Sequence, residues 1–387
     1  MNRIKTARYR FIIVFVLLIS LFVYAGCSTN GGRPGEALPD DNRLMVATGG
    51  SAVYHNGILY YLGLSSGQAF AKVYYADLTE GESGALCGKP ECTHDSADCN
   101  ACVESEGYGL IVYENKLYWL SSWGENRFLL SEELDGTGQT KVMELDRELE
   151  GLTFDSSFVG IYDGKLFRCG CGSSVSGGSP VKSMLLYSQP LKSGSKPDRL
   201  FYKEDILRVF SRMDGNKLYF AAIGSQFELT LYDLDMDSGE VTELYSDNSR
   251  EYDGQDLIVS GDKLILYGTG PAVYVYSLTD CSLNEIRNEG REYLFATDTK
   301  LYEMVSRTQY RLYDYNGTLL SQGAIDPPGF EGKEYYTRYL GCAGEKMIFV
   351  FTAYAQSGLF SLIDSSDQNS IVTFDTETLQ WTVILEY

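Results

Sequence analysis

From about residue 43 onward, short apolar runs alternate with polar punctuation, and their period is two rather than 3.6. The clearest unit is Tyr162-Asp163-Gly164-Lys165-Leu166-Phe167. An Asp-Gly pair between apolar residues is a strong hairpin signal, because both turn residues take positive φ at low cost. The same unit recurs around Asn56-Gly57, Glu114-Asn115, Gly215-Asn216, Gly261-Asp262, Asp298-Thr299 and Gly344-Glu345, each followed by an apolar strand such as Leu117-Tyr118-Trp119 or Leu301-Tyr302. The seven copies stand roughly 37 to 58 residues apart, close to the spacing of propeller blades. A second hairpin follows the first, as in Leu229-Thr230-Leu231-Tyr232-Asp233-Leu234 through Asp237-Ser238-Gly239, and in Tyr310 to Tyr315 through Asn316-Gly317.

Two hairpins make four strands, and no window carries a long helical period. The pattern therefore predicts an all-β chain, a seven-bladed β-propeller of four-stranded blades. Radial repetition lets each small sheet cover the face of the next. Two stacked sandwiches would use the same hairpins, but no linker-like stretch interrupts the repeats.

The first 26 residues follow a different rule. Arg3, Lys5, Arg8 and Arg10 precede an apolar run from Phe11 to Val23 that is shorter than the ~20 residues of a membrane span. Val23-Tyr24-Ala25-Gly26-Cys27 then resembles a bacterial lipobox, with Tyr24 where Leu is usual. Cys27 is thus the expected lipidation site, 1–26 a signal peptide, 27–42 a flexible Gly/Pro/Ser tether and 43–387 the propeller. The expected location is the extracellular face of the cell membrane, held there by two acyl chains.

Composition narrows the partners. The chain has 32 basic and 53 acidic residues, a net charge of −21, and losing the leader's four cations takes it to −25. Such a charge argues against nucleic acid and against electrostatic docking on anionic lipid. The 30 Tyr, 18 Phe and 40 Gly suit strands and turns.

The chemically loaded stretch is Cys87 to Cys102, spaced C-x4-C-x-H-x4-C-x2-C and reading as the connection from the first blade to the second. It holds four of the nine cysteines and one of only two histidines. Cys87, Cys92, His94 and Cys99 would make a closed Cys3His structural zinc site, with Cys102 as an alternative ligand. Disulfides among these cysteines are the competing reading for an exported chain, and free thiols a third. Cys169 and Cys171, flanking Gly170, could bond each other with strain or reach the Cys loop. Cys281 and Cys342 read as small buried or strand-end residues.

The repeat Tyr-Asp-Gly-Lys-Leu-Tyr/Phe followed by Leu-Tyr-x-Tyr-Asp-Leu is similar to that of extracellular propeller lipoproteins of Gram-positive anaerobes. These carry a domain of unknown function related to the propeller of low-density-lipoprotein receptors. The Leu86-Cys87-x-Lys89-Pro90-x-Cys92-x-His94 element also resembles one in that family. The resemblance implies surface location and a binding or scaffold role, and transfers no catalytic residue.

Alternating strand directions put the motif turns on one rim and the longer segments on the other. The latter are 64–70, 121–127, 170–181 and 353–369, with the connections 88–107, 145–156, 203–211 and 325–335. Binding of a carbohydrate or peptide ligand, or of a surface protein, is expected on that long-loop face, with Trp123, Phe128, Tyr354 and Phe360 as stacking candidates. Gly63-Leu64-Ser65-Ser66-Gly67 matches a nucleophile-elbow pattern, but a strand follows it instead of the helix an elbow needs. The alternative functions are a carbohydrate-active enzyme using a carboxylate pair, with Asp155, Asp205, Asp253 and Asp326 in position to contribute, or a structural subunit of a surface complex.

Overall fold

The computed structural model describes residues 52–386, apart from 65–70, 78–79, 81, 95, 97, 104–107, 124–125, 147, 151, 177–178, 253, 255, 269, 288–292, 298, 307, 331–334, 344 and 354–368. Its described residues form strands and turns without a helix, and so contain no helix long and apolar enough to cross a membrane. Seven antiparallel meanders follow one another along the chain, at 52–103, 108–145, 148–204, 206–247, 256–287, 293–324 and 335–386. They are the seven blades the hairpin count predicts.

Each blade runs from a buried inner strand to a solvated outer one. In blade 4 the third strand, Leu229–Asp235, is buried at all but its last position, whereas the fourth, Val241–Asp247, alternates or faces water. Inner and middle strands are apolar on both faces because both faces meet a neighbouring blade. The core is therefore a ring of seam clusters rather than one centre. Phe158, Met184 and Phe220 pack between blades 3 and 4. Tyr252, Leu264 and Tyr274 lie in the next seam. Trp119, Leu117 and Val73 lie between blades 1 and 2. The ring closes through Ala52, Leu59 and Tyr61 of blade 1 against Leu340, Ile348 and Ile371 of blade 7, without strand exchange among the described residues.

The short-turn rim is built as the sequence pattern requires. Asp163 and Gly164 both take positive φ, 45° and 68°, which matches the twist of the flanking strands. The turns between third and fourth strands use another device. The carboxylates of Asp77, Asp135, Asp235, Asp314 and Asp375 accept backbone N–H groups two to four residues ahead, at 2.7 to 2.9 Å. Much of the acidity in the repeat motif is thus turn chemistry.

Polar contacts on this rim also join blades. Gly164 N donates to Tyr113 Oη (2.8 Å), Tyr162 Oη to Asp237 (2.7 Å) and Ser260 Oγ to the Thr297 carbonyl (2.6 Å). Between blades 6 and 7, the Glu345 carboxylate accepts from Thr297, Thr299, Lys300 and Thr376 at 2.5 to 3.0 Å.

The opposite rim is less loop-rich than the sequence suggests. Segment 170–181 is mostly ladder, since the strands Lys165–Ser176 and Ser179–Pro190 pair as far as Ser176 with Ser179. Between Asp198–Glu204 and Ile206–Asp214 only Asp205 intervenes. Within 121–127, Ser121–Trp123 pairs with Asn126–Phe128 as strand, and 145–156 contains the extra strand Glu148–Leu149 of blade 3. Gly and Ser runs read as loop because they lack apolar alternation, but a backbone ladder needs no side chains.

Candidate metal centre

The Cys loop is not a blade-to-blade connection. It is an insertion inside the fourth strand of blade 1. Ser83–Ala85 pairs with Tyr74, Tyr75 and Ala76 of the third strand, and Cys102–Val103 resumes the same edge against Lys72 and Ala71. One residue closes the base of the loop. Leu86 N donates to the Val73 carbonyl (2.9 Å), and Val73 N donates to the Ala101 carbonyl (2.8 Å). The apolar triplet Ala101-Cys102-Val103, buried throughout, was the available signal that the strand continues.

Within the loop the backbone reverses repeatedly. Glu91 and His94 both have φ of 57°, and Cys99 N and Cys102 N close turns onto the carbonyls of Ser96 and Cys99. These reversals turn the side chains inward. The ligand atoms of Cys87, Cys92, His94 and Cys99 all lie within 4.8 Å of one another, with His94 Nδ1 3.3 Å from Cys99 Sγ. Bond lengths of about 2.3 Å to sulfur and 2.0–2.1 Å to nitrogen place tetrahedral ligand atoms about 3.5–3.8 Å apart, so the set fits a zinc-sized ion. The four residues named from spacing are those the fold brings together. Cys102 is beside them, but its thiol turns to the Ser96 carbonyl at 3.0 Å. Cys87, Cys92, Cys99 and Cys102 are all free thiols.

The thiols are not equivalent. Burial raises Cys87, but the N–H groups of Lys89 and Asn100 and the neighbouring thiols outweigh it and hold Cys87 below its ordinary value. Burial pushes Cys99 up to about 12. Cys87 and Cys99 are thus shifted in opposite directions, and a cation held by both would have to displace the proton of Cys99.

The loop rests on blade 2. Gly88 N donates to the Gly136 carbonyl (2.9 Å), as does Asn100 Nδ2 (2.8 Å), while Gln139 Nε2 donates to the Asn100 carbonyl (2.8 Å). Residues 134–139 are the turn between the third and fourth strands of blade 2. The loop consequently sits at the outer edge of the first seam and reaches the short-turn rim, opposite the expected long-loop face. Beneath it is Glu132, 1% exposed, both of whose carboxylate oxygens lack a hydrogen-bond partner. Burial, with the nearby Cys87 and Asp135, pushes its carboxyl up to about 9, so it is neutral at pH 7 and adds no charge to the thiol cluster. Sequence reasoning passed over Glu132, although strand alternation in Phe128-Leu129-Leu130-Ser131-Glu132 puts it on the face of Leu130.

The remaining candidates are scattered. Trp123 ends the second strand of blade 2, paired with Asn126 of the next strand. Phe128 is half-buried on the next strand, and Lys141 Nζ caps its ring 3.6 Å from the centroid. Cys27, Ser65, Asp253, Tyr354 and Phe360 lie outside the described residues. Asp205 and Asp326 are exposed, Asp205 in a connection at φ 59°. Cys169 is buried between blades 3 and 4, away from the seam that holds the Cys loop. Cys281 is at a strand end as expected, but exposed.

No protein-family model matches the chain, and no curated protein does. Among solved structures it is similar to a post-proline cleaving enzyme from Rickettsia typhi, with a TM-score of 0.52 and 11% identity over 89% of this chain and 53% of that one. It is also similar to a puromycin-hydrolyzing peptidase of Mycobacterium tuberculosis, with a TM-score of 0.52 and 10% identity over 89% of this chain and 54% of that one. A puromycin hydrolase gives 0.51 and 13% over 87% and 53%. The chain spans about half the length of these enzymes. At such identities the likeness is one of fold, and the fold is a seven-bladed β-propeller.

Proposed function

We propose that this chain is a lipid-anchored propeller on the outer face of the cell membrane, serving as a ligand- or partner-binding module with a structural zinc centre at Cys87, Cys92, His94 and Cys99. The observation that carries the zinc centre is the convergence of four soft ligand atoms within 4.8 Å in a loop closed at its base by Val73. Four protein ligands fill a tetrahedral ion's coordination, which suits a structural role and leaves no position for substrate. The leader's charge, the length of its apolar run and Ala25-Gly26-Cys27 support the anchor. Binding is assigned to the rim opposite the motif turns, because those turns are engaged in seam contacts and Asx turns.

Metal analysis with thiol counting on protein purified without reductant tests the centre. About one equivalent of zinc supports it. Absence of both metal and free thiols in the loop refutes it in favour of disulfides. Metabolic labelling with a radiolabelled fatty acid tests the anchor, which requires label on the wild type and none on Cys27→Ala. The peptidase likeness raises an enzymatic second reading. It predicts turnover of post-proline peptide substrates by the purified chain, and a binding module predicts none.

A further inference from the structure

The zinc ligands all come from blade 1, yet the loop that carries them is seated on blade 2, and its contacts there are placed in a telling way. The Gly136 carbonyl receives two donors, Gly88 N and Asn100 Nδ2. The first donor is next in sequence to Cys87 and the second is next to Cys99, the outermost members of the ligand set. The two donors converge on one oxygen where Cys87 and Cys99 lie close together, the arrangement that a shared cation would hold in place.

The backbone contact is equally close. A Cβ on Gly136, whose φ is +78°, would stand 2.6 Å from Cys87 N and 2.8 Å from Cys87 Cα. A Cβ on Gly88 would stand 2.1 Å from Thr137 Cγ2 and 3.2 Å from the Asp135 carbonyl. Two glycines thus let the backbone of a metal ligand lie directly against a turn of another blade.

We infer that the Cys3His centre is an interblade clasp, in which metal binding by the loop and its seating on the 134–139 turn of blade 2 are one coupled event. This rests on the zinc reading above and gives that ion a specific task. Linkage makes the coupling reciprocal. Gly136 and Gln139, which are not ligands and belong to another blade, help set the metal affinity, and the metal in turn holds the blade 2 turn in place. Blade 1 is the first of the described blades, and among the described residues its apolar seam with blade 7 involves no exchanged strand. Metal occupancy therefore adds a second fastening to the apolar seam between the first two blades.

The test compares zinc affinity, by competition with a chromophoric chelator, in the full chain and in Gln139→Ala, Asn100→Ala and Gly136→Ala. Hydrogen exchange of the 134–139 turn with and without zinc is measured in parallel. Losing one hydrogen bond at Gln139 or Asn100 is expected to weaken zinc binding about 2- to 10-fold. Gly136→Ala is expected to weaken it at least about tenfold, because the methyl group displaces the loop. Zinc is expected to slow exchange in the turn. Gln139 is exposed and Asn100 half-exposed, so those two variants keep the test valid if Gly136→Ala folds poorly. Wild-type affinity in both, with exchange in the turn indifferent to zinc, would leave the metal centre standing and remove the clasp. Failure of the wild type to take up zinc at all would instead remove the centre, and the clasp with it.

Discussion

The seams between blades 1 and 2 and between blades 6 and 7 do the same mechanical work with different chemistry. At the second, Glu345 gathers three threonine hydroxyls and the Lys300 ammonium, with Lys300 and Glu345 side chains only 17% and 18% exposed. Every partner is supplied by the chain, so the latch forms when the blades meet. At the first seam a loop of 14 residues between Leu86 and Ala101 is pinched off at Val73, and the residues at its core are mostly thiols. Sulfur is a weak hydrogen-bonding group, and a small cluster of Cys and Ala buries little apolar area. The carboxylate hub is complete in itself, whereas the thiol hub is complete only with a cation. On the proposed reading, the Glu345 latch is unconditional and the Cys-loop latch is conditional on metal, each beside an apolar seam.

The sharpest way to break this contrast is to separate packing from metal at the first seam. Trp119 is fully buried there, and Trp119→Ala should cost about 3–5 kcal/mol in denaturant melts while the metal content stays near one equivalent. Loss of metal in that variant would mean that seam packing and the centre are inseparable. Next in size is Cys99→Ser, which removes a ligand. With zinc about 100-fold above its Kd, wild type should exceed the variant by about 3 kcal/mol, and chelator should erase the difference. A gap that survives chelation would make Cys99 a packing residue.

Glu345→Gln should cost about 1–3 kcal/mol and be indifferent to chelator, since it replaces one acceptor oxygen by an NH2 that faces donors and removes the charge opposite Lys300. The same residue gives a pH signature. Burial raises the Glu345 carboxyl, but its hydrogen bonds to Thr376, Thr299, Lys300 and Thr297 outweigh this and hold it below the ordinary glutamate value. A folded-state value below the unfolded one contributes stability that is complete above about pH 4.3 and is lost as pH falls through the folded value. Acid melts of wild type should therefore converge on those of Glu345→Gln below that range, and parallel curves would show that Glu345 does not titrate with folding. The smallest effect belongs to the expected binding face. Lys141→Ala uncaps Phe128 and should change stability by about 0.5–1 kcal/mol or less, read from the same melts.

The two seams also differ in how far they can be read from the chain. The ligand set at the first seam is local. Spacing alone named Cys87, Cys92, His94 and Cys99, because a short loop cannot carry them far apart. Its attachment was not legible, since Gly136 and Gln139 are remote in sequence and carry no chemistry that marks them. Glu345 was visible only as a turn residue, and its four donors come from the turns of blades 6 and 7. Glu132 could have been found by strict alternation, but a buried glutamate without a partner runs against the usual expectation that acids face water.

The opposite rim shows the limit from another side. Gly and Ser in 170–181 conceal a ladder, because backbone pairing leaves no trace in side-chain pattern. The sequence by itself determined the all-β class, the seven hairpin pairs and the identity of four metal-ligand candidates, all of which follow from contacts between near neighbours in the chain. Only the tertiary structure decided that the Cys loop interrupts a strand instead of joining two blades, that it lies on the short-turn rim, and which blade it grips. Those facts depend on the packing of one blade against the next, where distant residues meet and no local period records the encounter.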